Sequence, residues 1–215
     1  MINPNEYGIS LQLPETQENL FQKLEDYHEI YNCNMAATQV NRAYDREICK
    51  NVAVKTIFKE LLFDDLQKKQ AAIEFPIQCS LHHPNLVKGY DYTETDKKYV
   101  GILEYVSEPE YLKEKIDENL NNISNENKLK SYILDILEGM NYLHDKGIIH
   151  SDIKLENILA EKEEGMSIRT LKLCDFGLVQ LLEDGYDSVT LEKIQGTSGY
   201  MAPELPKLEI FTLKL

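Results

Sequence analysis

The sequence predicts an α+β fold in two parts, a small strand-rich part followed by a mainly helical one. Two observations predict it. Apolar residues alternate with a period of two in stretches between Tyr27 and Val106, and a 3.6-residue apolar stripe runs through Leu129–His144. The change of regime falls near Ser107–Glu110, which divides the chain into a lead-in over 1–24, a strand-rich lobe over 25–106 and a helical lobe over 107–215.

In order along the chain, residues 1–24 read as a polar lead-in with a short helix over Glu15–Leu24. Strands are predicted near Gln39–Tyr44 and Asn51–Phe58, around a polar turn at Asp45–Lys50. Residues 64–81 predict a helix carrying Leu66, Ile73, Ile77 and Leu81, kinked or restarted at Pro76 because proline has no backbone donor. His83-Pro84-Asn85 ends it, and Leu86–Tyr92 with Tyr99–Val106 predicts a hairpin around Thr93–Lys98. Tyr111–Leu120 predicts a further helix and Asn119–Asn127 a solvated loop. The strongest helix, Leu129–His144, puts Tyr132, Ile133, Ile136, Leu137, Met140 and Leu143 on one stripe, and Leu171–Cys174 reads as a strand.

Composition narrows the function classes. With 42% hydrophobic and 28% charged residues the chain has ordinary globular composition. A formal net charge of -14 repels nucleic-acid phosphates, so no nucleic-acid partner is expected, and any nucleotide must be held by a local positive cluster. No apolar run is long enough for a membrane span, and the N-terminus lacks a signal pattern, so no membrane partner is expected. Cys33, Cys49, Cys79 and Cys174 form no CxxC pair or zinc spacing, which suits reduced thiols in an intracellular, cytoplasmic protein.

Five motifs carry chemistry. In Val52-Ala53-Val54-Lys55 the strand period puts Ala53 and Lys55 on one face, so a flat ring can lie close while the ammonium reaches phosphates. A snorkelling lysine at a strand end would give the same pattern. Glu74, on the helix that follows, can pair with Lys55 or stand as a solvated charge. In His150-Ser151-Asp152-Ile153-Lys154-Leu155-Glu156-Asn157, Asp152 can accept a hydroxyl proton, Lys154 can neutralise a phosphoryl group, and Asn157 offers a hard oxygen to magnesium. In Asp175-Phe176-Gly177 a carboxylate suited to a metal precedes a sharp turn. The fifth is Gly196-Thr197-Ser198-Gly199-Tyr200-Met201-Ala202-Pro203-Glu204.

In this order and at these spacings the motifs closely resemble the eukaryotic protein kinase superfamily, over about Tyr27 to Glu204. The resemblance implies a bilobal protein-kinase-like fold, a small β-rich N-lobe over a mainly helical and incomplete C-lobe, with ATP and Mg2+ as cofactors and a protein as substrate. It implies that Lys55, paired with Glu74, holds the α- and β-phosphates, that Asp152 orients the substrate hydroxyl and that Lys154 contacts the γ-phosphate. It further gives Asn157 and Asp175 to magnesium, and Thr197 to bracing the catalytic loop. Leu103 falls at the gatekeeper position, Glu104-Tyr105-Val106 at the adenine-binding hinge, and Val40, Ala53 and Leu159 around the ring. Lys154, two residues after Asp152, and Gly-Thr before the Tyr-Met-Ala-Pro-Glu run resemble Ser/Thr rather than Tyr kinases.

Four departures stand against the family pattern. The glycine positions of the phosphate loop hold Cys33, Met35 and Thr38, which implies looser phosphate contacts. Ser151 replaces the arginine that pairs with an activation-segment phosphate, so Ser188, Thr190 and Ser198 lose that partner. Gln78 and Gly89 occupy apolar positions of the regulatory stack that also contains Phe176 and His150, which implies a less firmly held helix. The chain ends eleven residues after Glu204, without the later family helices, which reads as a C-terminally truncated catalytic domain with the 129–144 stripe partly uncovered. The intact charged residues favour a Ser/Thr protein kinase; the departures favour a pseudokinase or truncated fragment acting as a nucleotide-binding or interaction module.

Overall fold

The computed structural model describes residues 17–33, 37–106, 110–111, 126–161, 170–183, 186, 188–191, 193–203 and 211–214. They divide into two compact units, one with the described residues up to His82 and Lys88–Tyr105, the other with His83–Val87 and those from Val106 onward.

The first unit is a five-stranded sheet with two helices. Its strands are β1 (Leu24–Cys33), β2 (Thr38–Asp45), β3 (Lys50–Phe58), β4 (Gly89–Glu94) and β5 (Lys98–Glu104), in the order β1-β2-β3-β5-β4 with every neighbouring pair antiparallel. Burial alternates along β3 from Val52 to Thr56. Val52, Val54 and Thr56 are buried, while Ala53 and Lys55 share the other, half-buried face. Val52 and Val54 join Ala43, Val100 and Ile102 in a core that Leu20 and Leu24 complete.

Leu20 belongs to helix α1 (Gln17–Gln22) and is fully buried, so part of the predicted polar lead-in contributes to the core. Lys23 follows it and reaches Asp91 of β4 at 3.3 Å, with its own carbonyl accepting from Arg46 N–H. The polarity of the surrounding residues hid one apolar anchor.

Helix α2 (Asp65–Ser80) begins on a side-chain cap. Asp64 accepts from Gln67 N–H at 2.9 Å, and Gln67 Oε1 accepts from Phe63 N–H at 2.7 Å. The helix continues through Pro76 without a restart, one of the two outcomes expected there. Proline costs a helix interior about 3 kcal/mol. Burial of Phe75, Ile77 and Cys79 around it offsets that cost.

The second unit contains α3 (Glu126–Asp145) and short strands: β6 (Glu110–Tyr111), β7 (Ile148–Ile149), β8 (Ile158–Glu161), β9 (Thr170–Leu173), β10 (Gln180–Leu181), β11 (Ser188–Leu191) and β12 (Phe211–Lys214). They form a β6-β8-β9 sheet and the pairs β10-β7 and β11-β12. Tyr111 lies on a strand and Glu126 and Asn127 in α3, where a helix start and a loop end were expected; the rest of those two segments lies outside the described residues. Asn85 fastens the start of this unit, donating through Nδ2 to the Leu171 carbonyl at 3.0 Å while its own carbonyl accepts from Leu173 N–H at 2.8 Å. Of the predicted α3 stripe, Leu143 is fully buried, but Ile133 and Leu137 are about half exposed, as are Leu129 and Leu134. No helix among the described residues is long and apolar enough to cross a membrane.

Truncating a buried leucine costs about 2–5 kcal/mol. Leu20→Ala is therefore expected to lower the unfolding free energy by about that amount in urea titrations. A loss below about 0.5 kcal/mol, the scale of a surface change, would detach α1 from the core.

Candidate active site

The strand register gathers the candidate residues of the first unit. Lys55 of β3 faces Val40 across β2 and Gly101 across β5, and Ala53 faces Leu103. Residues directly opposite on neighbouring strands project to the same face, so Val40, Ala53, Lys55 and Leu103 share one side of the sheet. Lys55 Nζ donates to Glu74 Oε1 at 2.6 Å, with both side chains largely buried. A solvated glutamate and a snorkelling lysine are thus both replaced by one ion pair.

At the end of β5, Glu104 N–H donates to the Lys88 carbonyl at 2.8 Å and its Oε2 accepts from Lys88 N–H at 3.1 Å. These bonds hold the strand end that leads into half-buried Tyr105 and buried Val106. Of the glycine-loop positions, Cys33 and Thr38 face each other where β1 meets β2, and Met35 lies outside the described residues.

The candidate residues of the second unit lie on a loop between β7 and β8. His150 sits at its start, buried, its ring 5.3 Å from that of Phe176. Nδ1 accepts from Asp152 N–H at 3.4 Å, so Nε2 carries the proton that is donated to the Cys174 carbonyl at 3.2 Å. One neutral ring thereby joins the loop to the backbone before Asp175. A second link is the bond from Cys174 N–H to the Asn157 carbonyl, at 3.0 Å.

Both carboxylate oxygens of Asp152 are engaged. Oδ1 accepts from Thr197 Oγ1 at 2.7 Å; Oδ2 accepts from Lys154 Nζ at 2.7 Å and from Asn157 Nδ2 at 3.1 Å. Lys154 Nζ also donates to Thr197 Oγ1 at 2.9 Å, and Asn157 Nδ2 to the Asp152 carbonyl at 2.9 Å. Four predicted residues are therefore one hydrogen-bonded cluster. Because Asn157 spends its amide nitrogen on Asp152, its Oδ1 is the end left for a hard cation. Asp175 follows at φ 64°, left-handed, a conformation that aspartate tolerates better than bulkier residues. Leu159 is half-buried on β8, between buried Ile158 and Ala160.

Gly196 places Thr197. It adopts φ 115°, and a Cβ there would stand 3.1 Å from the Ser151 carbonyl. Ser151, in place of an arginine, turns its hydroxyl to the Ile149 carbonyl at 3.4 Å. Ser188 and Thr190 lie on β11, paired with Lys214 and Thr212 of β12, a pairing that no sequence pattern announces. Among the described residues Cys49, Cys79 and Cys174 form no disulfide; burial, helped by Asp91, pushes the Cys79 thiol up to about 12.

Gln78 and Gly89 are both buried, and no room remains at Gly89, where a Cβ would lie 2.7 Å from Cys79 N. The helix backbone itself fills the space of the missing side chain.

A family model described as protein kinase domain matches residues 36–209. The chain is 32% identical over 159 residues to a probable myosin light chain kinase of Dictyostelium discoideum, covering 74% of this chain and 31% of that protein. It is 37% identical over 143 residues to the smooth muscle myosin light chain kinase of Gallus gallus, covering 66% and 7%. With the serine/threonine-protein kinase polo of Drosophila melanogaster it shares 33% over 153 residues, covering 71% and 25%. The chain spans less than a third of the length of each of these relatives.

Burial holds the His150 imidazole below its ordinary value, partly opposed by Asp175, the Cys174 carbonyl and Asp152. The unfolded chain takes up this proton near pH 6.5, the folded chain only at lower pH. Below about pH 6.5 the unfolded state then binds more protons, and stability falls with pH by at most about 1.4 kcal/mol per unit until the folded value is passed. Melting temperature should drop between about pH 7 and 5, and less steeply in His150→Gln. Parallel drops in the two proteins would show that another group sets the slope.

Proposed function

The chain belongs to the eukaryotic protein kinase superfamily, and from that membership we propose that it transfers the γ-phosphate of ATP to serine or threonine hydroxyls of protein substrates with Mg2+ as the metal. The observation that carries this reading is the Asp152 carboxylate, oriented by Thr197, Lys154 and Asn157 at once.

The donor set fits the metal. Asn157 Oδ1 and the Asp175 carboxylate are hard oxygens of the kind magnesium takes. Bound there, the metal supplies neutralisation of the triphosphate charge. The remaining work falls to the chain's own groups. Lys55, kept in place by Glu74, is assigned to the α- and β-phosphates. Val40, Ala53, Leu103, Leu159 and the Glu104-Tyr105-Val106 backbone are assigned to the adenine.

Asp152 orients the acceptor hydroxyl and takes its proton as the new O–P bond forms and the β–γ bridging bond breaks, with ADP leaving. Lys154 neutralises the transferred group. Thr197 keeps Oδ1 from rotating, so the carboxylate meets the hydroxyl in one orientation. Lys154 and the Gly196-Thr197 pair support Ser/Thr as acceptor.

Thermal melts with ATP and magnesium should show a shift, and the chain should transfer labelled phosphate from ATP to a generic basic protein. Asp152→Asn, which keeps the shape but not the proton acceptor, is expected to lower transfer by about 10²–10⁴-fold with the ATP shift retained. Absence of any ATP-dependent shift would remove the nucleotide assignment. Transfer persisting in Asp152→Asn would remove the role of Asp152, and label on tyrosine alone would remove the acceptor assignment.

A further inference from the structure

Two glycines beneath α2 have ordinary backbone angles and are not needed for a turn; what distinguishes them is the space a side chain would take. Gly101 is the direct cross-strand partner of Lys55, so its missing side chain lies on the lysine's face of the sheet, beside it. A Cβ built on Gly101 would lie 2.4 Å from Phe75 Cδ1 and 2.6 Å from Phe75 Cε1. Phe75 is the residue after Glu74 and is 1% exposed. One side of the ring, from Cγ to Cε1, therefore occupies the space of the missing side chain, next to the lysine that its neighbour grips. The second glycine, Gly89 of β4, meets α2 one turn further on. A Cβ there would lie 2.7 Å from Cys79 N, 2.8 Å from Cys79 Cα and 2.8 Å from Cys79 Sγ.

We propose that Gly101 and Gly89 are positioning residues, a two-point seat into which Phe75 and the Cys79 turn of α2 sink, so that Glu74 is held on Lys55 by packing rather than by an adjustable side-chain stack. Each point constrains something different. At Gly101 the obstacle is a side chain locked by burial; at Gly89 it is the helix backbone. A side chain at either would lift α2 from the sheet, because buried packing at this density leaves no slack. Relieving contacts of 2.4–2.8 Å to an ordinary 3.4 Å needs a shift of up to about 1 Å, which would stretch the 2.6 Å ion pair beyond hydrogen-bonding distance. Pro76, between the two points, leaves α2 with a weakened turn that the seat clamps from both sides. On this reading the side chain missing from the stack at Gly89 is what allows the helix to close in.

The consequence for function rests on the phosphotransfer reading above, since it is Lys55 that would meet the phosphates; the seat itself does not depend on that reading. The experiment separates the two. Gly101→Ala and Gly89→Ala are compared with the wild-type chain by backbone hydrogen exchange over residues 65–80 and by kcat/KM for ATP.

Gly101→Ala should speed exchange across α2 and lower kcat/KM for ATP by about tenfold or more, the scale of one charge-assisted contact. Gly89→Ala should do the same. The decisive variant is the compensating pair Phe75→Leu with Gly101→Ala, which removes ring atoms where the methyl is added. It should restore both readings to within about twofold of wild type, because neighbouring sites that share one space couple non-additively. Wild-type exchange and kinetics in a folded Gly101→Ala would overturn the seat. So would a pair that folds without recovering kcat/KM, or that fails to fold where Gly101→Ala also fails. A wild-type chain with no response to ATP would sink the phosphotransfer reading, while exchange over α2 in the same variants would still decide the seat.

Discussion

The orientation of one carboxylate, Asp152, is the constraint on which the second unit's chemistry depends. A carboxylate alone rotates freely about its last bond. Here a hydroxyl fixes one oxygen, and an ammonium and an amide fix the other. Thr197 is 45 residues away in the chain, so the segment carrying it is tied down by the same group that it steadies. His150 adds a backbone brace, and Gly196 gives the segment the left-handed turn and close approach that bring the threonine in. Removing Thr197 takes from a buried Asp152 oxygen its hydroxyl donor, which costs more than the bond itself contributed.

The first unit obeys a different rule. A lysine and a glutamate taken out of water gain little net stability from each other, because desolvation offsets attraction. What their pairing gives is a defined place for a positive charge on one face of a sheet. The geometry around it is accordingly steric: strand register sets Lys55 beside Gly101, and the packing of α2 sets Glu74.

Much of this was legible in the sequence because the signals were local. Alternation in Val52–Lys55 gave the strand and the shared face of Ala53 and Lys55, and short-range spacing gave the loop from His150 to Asn157. What escaped was non-local. Leu20 reads as a lone apolar residue in a polar stretch until its partners on β2, β3 and β5 are known. Pro76 reads as a kink or a restart because local propensity says nothing of the tertiary burial that carries the helix through it. Gly89 reads as a gap, since a missing side chain does not reveal that the opposite backbone has moved in to fill it. The β11-β12 pairing joins segments with no shared pattern, and no periodicity could have announced it.

The half-exposed side chains of Leu129, Ile133, Leu134 and Leu137 set this chain's behaviour in solution against its net charge of -14. At low ionic strength, like charge keeps copies apart across a screening length of tens of ångströms. Added sodium chloride shortens that length to a few ångströms, and sulfate also strengthens apolar contact. The same α3 surface that dilute buffer keeps solvated therefore becomes adhesive in concentrated salt, so that retention on a phenyl resin and turbidity both rise with ionic strength.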